Sequence, residues 1–220
     1  ILAAAGGMIA VILSFGIKEN KIVREPISVR SLLSVGANFN LLLFSILAVF
    51  TQFITFATVY GFTPVAAKMI GATPFQIGLL TTLSTLPVIL SAALSGSVLT
   101  KKFGEKRVIM AGFMAVAIFT VVVPYIKSIE MLYVTQVARG FGQGIVFPLL
   151  MGLSIKKVEE SRRATAMGFF QAIYSIGMFL GPLVVGFLSD TMGLAWGFWV
   201  TGAVGILGLV ITAFMAKTEK

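Results

Sequence analysis

The sequence contains no cysteine and no histidine. The first absence excludes disulfides, thiolate metal ligands and a thiol nucleophile. The second removes the commonest general base and the commonest metal ligand. Charge is scarce as well: only 11% of the 220 residues are charged, where soluble domains carry about 25%. No Asp or Glu falls inside any of the long apolar runs. Nucleophilic or metal-assisted chemistry therefore has almost nothing to build with, and the expectation is a protein that is not an enzyme and has no cofactor and no metal site.

Apolar residues fill the space, at 58% of the chain with a mean hydropathy of +1.02. A soluble core of this length cannot bury so much apolar surface, so lipid must solvate much of the chain. Spanning-length runs lie near 39–60, 75–99, 108–126, 131–153, 165–188 and 194–216. Each must be helical, because hydrocarbon offers exposed backbone groups no partner. Residues 1–16 are apolar from Ile1 onward with no basic start, which reads as the end of a preceding span, not as a signal peptide.

The net charge of +9 does not suggest nucleic acid, because the positive residues sit in short turns between apolar runs. Lys18, Lys21, Arg24 and Arg30 lie in 17–37, and Lys101, Lys102, Lys106 and Arg107 in 100–107. Lys156, Lys157, Arg162 and Arg163 lie in 154–163, and Lys217 and Lys220 in the tail. Together these place fourteen positives on one side of the membrane, against Lys68 and Lys127 on the other. The positive-inside rule makes the first side cytoplasmic. The expected organisation is thus a span end at 1–16, a cytoplasmic linker at 17–37, a six-helix all-α bundle at 38–216 and a cytoplasmic tail at 217–220. In "KKFGEKR", Gly104 supplies the positive φ of a tight turn, and the lysines hold it at the anionic leaflet.

That turn also resembles the loop G-x-L-x-D-R/K-x-G-R-K/R of the major facilitator superfamily. Ser97, Leu99, Lys101, Lys102, Gly104 and Lys106 occupy its positions, with Ser97 for the first glycine and Lys101 for the acid. "QVARGFGQGIVFP" (136–148) is similar to the family's tenth span, and residues 162–193 to its eleventh. There Gly168, Gly177, Gly181, Pro182 and Gly186 keep the spacing G-x8-G-x3-G-P-x3-G, close to the glycine–proline motif of the family's antiporters, with Val185 replacing one glycine. The resemblance implies the C-terminal half of such a fold, spans seven to twelve plus the end of six. It also implies a missing N-terminal six-helix half as partner, membrane lipid around it and a small-molecule substrate between the halves.

Several residues become candidates. Arg139 is the one charge well inside a span, costing at least ~2.5–3.5 kcal/mol to insert, and shares a helical face with Gln136 and Gln143. That face is expected to look into a water-filled cavity, with a buried structural arginine as the alternative. Gln52, Thr55 and Thr58 on the first full span, and Gln171, Tyr174 and Ser175 on the fifth, are further cavity candidates; the alternative for them is interhelical hydrogen bonding. Lys101, Lys102, Gly104, Lys106, Gly177, Gly181 and Pro182 are assigned to gating or packing.

The resulting expectation is a secondary transporter working by alternating access in a prokaryotic inner membrane, effluxing drugs or small metabolites. The proton is its candidate coupling ion, carried by a carboxylate of the missing half. Sugar or metabolite uptake is the alternative direction, and a non-transporting membrane scaffold the alternative class. The side assignment is tested by impermeant thiol labelling in intact cells, for which this cysteine-free chain is suited. Lys127→Cys should react from outside and Lys102→Cys only after permeabilisation; the reverse pattern would overturn the topology.

Overall fold

A computed structural model describes residues 7–8, 11–16 and 36–215. The linker at 17–35 and the tail from 216 lie outside the described residues, as do their six positive charges. Six helices among the described residues are long and apolar enough to cross a membrane. We label them α1 (Phe39–Met69), α2 (Pro74–Leu94), α3 (Glu105–Val121), α4 (Ile129–Lys156), α5 (Arg163–Met192) and α6 (Leu194–Phe214).

Local chemistry sets where these helices begin. The Asn38 side chain accepts hydrogen bonds from the Asn40 and Leu41 amides at 3.1 and 3.2 Å, capping α1. A capping box opens α2: the Thr73 hydroxyl accepts from the Gln76 amide, and Gln76 Oε1 accepts from the Thr73 amide at 2.8 Å. Pro74 follows, where its missing N–H costs nothing. Ser128 caps α4. Gly104 (φ +82°) and Gly193 (φ +97°) each make a break of one residue, at the start of α3 and between α5 and α6.

The first span runs past its expected end at 60 to Met69, about 46 Å at 1.5 Å per residue. A π-helical turn at Thr58–Phe62 lets it continue through Gly61 and into Pro64. A second π turn, Ser95–Leu99, extends α2 through a last helical turn to Phe103.

Three clusters of buried side chains join the six helices. One gathers Leu41, Phe44 and Leu47 of α1, Ile109 and Phe113 of α3, Leu150 of α4 and Phe170 of α5. A second, at the end away from the basic turns, joins Ala67, Leu80, Val123, Leu132 and Phe198. A third packs Phe53, Ile54 and Ala57 against Val116 and Val185. Helix α1 contributes to all three, so it is the hub of the bundle. The exposed side chains of α6, including Ile206, Leu207, Val210 and Phe214, are apolar, as a lipid-facing surface requires.

Glycine decides how closely α1 and α5 approach. A Cβ on Gly177 would collide with the carbonyl of Val49, and one on Gly181 with the carbonyl of Phe53. Both obstacles are backbone, which cannot swing away. Pro182 follows within a helix that continues to Met192. Gly168, on the same helix, has nothing within 4 Å of such a Cβ. Substitution should therefore act in opposite directions. Gly181→Ala should lower the unfolding temperature, by overpacking that costs about 1–3 kcal/mol. Gly168→Ala should raise it, by the roughly 0.5–1 kcal/mol that alanine gains over glycine in a helix. Equal shifts in a melting assay would contradict this packing.

Candidate functional site

The candidate residues separate into two environments. Gln52 and Thr55 on α1 and Tyr174 on α5 are half-buried, and Gln171 is exposed. Tyr174 stacks edge-on against Phe147 and Phe170, with ring centroids 5.4 Å away in both cases, so much of its surface serves as a packed wall. The hydroxyls of this region do not bond between helices. Thr51, Thr55 and Thr58 donate to the carbonyls of Ala48, Thr51 and Ile54 on their own helix. The interhelical bonds named as the alternative for these threonines are thus replaced by bonds within the helix, the cheapest partner that hydrocarbon allows.

Gln136, Arg139 and Gln143 lie deep in the bundle, at 0%, 1% and 5% exposure. Helical geometry explains this. A Cβ on Gly140 would sit 2.6 Å from the Ser84 carbonyl of α2, and one on Gly142 2.9 Å from the Gly112 carbonyl of α3. The trio occupies the arc between those two contacts, opposite the exposed Val134 and Phe141. Its face is therefore turned into the helix bundle, away from the exposed side of α4. Sequence periodicity shows which residues share a face, and the neighbouring helices decide where that face points.

Arg139 Nε donates to Gln136 Oε1 at 3.1 Å, one helical turn back. Among the described residues the guanidinium has no other protein acceptor, and its Nη1 is buried without a partner. Gln136 Nε2 and Gln143 Oε1 are buried and unpartnered too. A buried charge with no counter-charge beside it is costly in a low-dielectric interior. Tyr60 was not singled out in the sequence. It sits in the π turn of α1, a distortion that often marks functional positions, and no side-chain periodicity announces it.

At the basic end, the residues of the 101–106 turn divide. Lys101 and Lys102 are exposed, and Lys102 Nζ lies 5.3 Å from the ring of Phe103. Lys106 is engaged inside the bundle: its Nζ donates to the carbonyls of Ala213 and Met215 at 2.6 and 2.8 Å, closing the end of α6. Glu105 pairs with Lys156 of α4 at 3.1 Å, an exposed contact of little energetic weight. Adjacent residues of one turn thus tie α3 to both α6 and α4. The opposite end holds an apolar cavity of about 270 Å³, lined by Ala66, Met69, Ile70, Val123, Ile126 and Phe198 among others, with none of the polar trio in it. No group of three or more His, Cys, Asp or Glu side chains suited to a metal ion occurs among the described residues.

Lys106→Met should uncap the last carbonyls of α6 at a cost of about 0.3–1 kcal/mol. Amide hydrogen exchange should then accelerate in the last turn of α6, and Lys106→Arg should restore protection. Unchanged exchange in Lys106→Met would show that the cap is not formed.

Comparison with known proteins agrees with this architecture. Residues 45–220 match the family model of the Major Facilitator Superfamily. The quinolone resistance protein NorA of Staphylococcus aureus is 26% identical over 172 residues, covering 78% of this chain and 44% of NorA. An uncharacterized MFS-type transporter of Mycobacterium tuberculosis, Rv1250, is 28% identical over 114 residues, covering 52% of this chain and 20% of that protein. The chain thus spans less than half the length of these curated relatives. Six membrane-length helices, their glycine-mediated packing and a family match over most of the chain make it a multi-pass integral membrane protein of the major facilitator superfamily.

Proposed function

We propose that this chain forms the C-terminal six-helix half of a secondary transporter that exports drugs or small metabolites by alternating access. The observation that carries this reading is the buried polar trio around Arg139 in an otherwise apolar bundle. An ionisable group at that depth is expensive, and a protein with only a scaffolding role has no use for it. The direction is supported by NorA, whose name reports quinolone resistance. The aromatic side chains Phe56 and Tyr60, 5.2 Å apart on α1, also suit amphipathic substrates.

In this reading the three shared clusters make the six helices one body, and transport is the rocking of that body against a second half. The linker and the basic turns face the cytoplasm, in a prokaryotic inner membrane. The driving force is an ion gradient, with the proton as the coupling ion. The carboxylate that carries it belongs to the other half, since Glu130 and Asp190 are exposed at helix ends and the remaining described acids lie in the basic turns.

The test is flux of a lipophilic cationic dye in inside-out vesicles containing the full-length protein. Wild type should accumulate the dye when the vesicle interior is acidified, and a protonophore should abolish the uptake. Arg139→Ala should reduce the initial rate at least tenfold at equal protein level, a loss of about 1.4 kcal/mol or more. Wild-type vesicles indistinguishable from empty ones would overturn the export reading. Full flux in Arg139→Ala would remove Arg139 from it.

A further inference from the structure

The surroundings of Arg139 contain too many donors and too much positive charge. A guanidinium has five N–H groups, and here one of them, on Nε, has a protein acceptor. The buried Nη1 has none, and neither does Nε2 of Gln136, the amide whose oxygen already accepts from Arg139. Two orphaned donors therefore belong to side chains that are already hydrogen-bonded to each other. Gln143 lies on the same face, and as placed it is the acceptor end of its amide, Oε1, that is buried without a partner. The two ends of a glutamine amide can be exchanged by rotation, so this group is free to present N–H to the same acceptor.

The described helices supply no counter-charge. Glu105 and Glu130 lie in first turns, Glu159 and Glu160 precede α5, and Asp190 lies in the last turn of α5. The ion pair formed by Glu105 engages Lys156, at the basic end. The side chain of Arg139 is itself enclosed, at 1% exposure, so a carboxylate on another polypeptide has no route to it without the bundle opening. A water molecule could accept the spare hydrogens, but it would leave the charge uncompensated in a low-dielectric interior. A small anion meets both demands.

We propose that Arg139, Gln136 and Gln143 form a binding site inside the bundle for a small monovalent inorganic anion of the size of chloride. Arg139 Nη1 and Gln136 Nε2 donate to it, Gln143 completes the ring of donors, and the anion neutralises the guanidinium. The enclosure that keeps out a carboxylate side chain also keeps out larger organic anions. The bound anion acts as a removable structural counter-ion, and the stability of the bundle follows its concentration.

The experiment uses the full-length protein in nanodiscs of uncharged lipid. Chloride is exchanged for gluconate at constant ionic strength, and the unfolding temperature is followed. Line broadening of the chloride NMR signal, with bromide as competitor, reports binding independently. The unfolding temperature should rise saturably with chloride and with bromide, and gluconate should have no effect. Gln136→Leu keeps the charge and removes one donor, so its half-saturating chloride concentration should rise about tenfold. Arg139→Met, where it folds, should lose the chloride response. Two outcomes would overturn the site: wild-type protein with equal stability in chloride and gluconate and no competable broadening, or a Gln136→Leu variant with unchanged half-saturation. The second would place the anion elsewhere. Both readouts are of binding, so a transport assay that fails leaves this result to stand or fall by itself.

Discussion

Hydrocarbon offers no hydrogen-bond partner, and most of this structure follows from that fact. Backbone groups must pair within each segment, which makes every span a helix. The same demand falls on side chains. Buried Ser45, Thr58, Ser84, Ser91, Thr201 and Thr212 each donate to the carbonyl four residues back on their own helix. With polar groups satisfied locally, the helices meet through shape. Small residues bring backbones together, as Gly177 and Gly181 do for α5 on α1, and Gly140 and Gly142 do for α4 on α2 and α3. A bundle held in this way has few alternative arrangements, because the close contacts are between backbones.

Several exceptions to local pairing involve α4, beside the unpartnered buried hydroxyls of Thr63, Thr120 and Ser189 on other helices. Ser95 in the π turn after α2 donates across to the carbonyl of Ile145 at 2.7 Å, and Tyr133 donates to the carbonyl of Gln76 at 3.1 Å. Arg139, Gln136 and Gln143 combine a buried charge with polar atoms that have no partner among the described residues. The buried charge on α4 is a departure from what stability alone would select. Such departures are expected at functional positions.

Much of the fold was legible in the sequence, for identifiable reasons. Six apolar runs of spanning length, with Arg139 the one charge among them, admit one secondary structure in lipid, and each appears as a helix. Gly104 in a crowded basic turn pointed to a backbone that only glycine adopts easily, and its φ is +82°. The end of α1 was not legible, because Tyr60, Gly61 and Pro64 look like a stop when the π turn that absorbs them leaves no periodic trace. The direction of the Arg139 face was hidden for a related reason. Helix α4 is apolar or small around most of its circumference, so its pattern does not separate lipid, neighbour and cavity. What settles the direction is glycine contact with α2 and α3, a tertiary property. The engagement of Lys106 with the end of α6 joins residues more than a hundred positions apart, beyond any local pattern.

The six helices pack as one body built on the glycine seam between α1 and α5, and in the proposed function that body rocks as a unit. Pulsed electron-spin distance measurement tests this most directly in the full-length protein, with nitroxides at Phe39 on α1 and Arg163 on α5, both at the basic end of that seam. The predicted result is a single distance that does not change with substrate or with the ion gradient. A distance that shifts by several ångströms, or splits into two populations on adding substrate, would show that the seam opens during the cycle and would contradict the account.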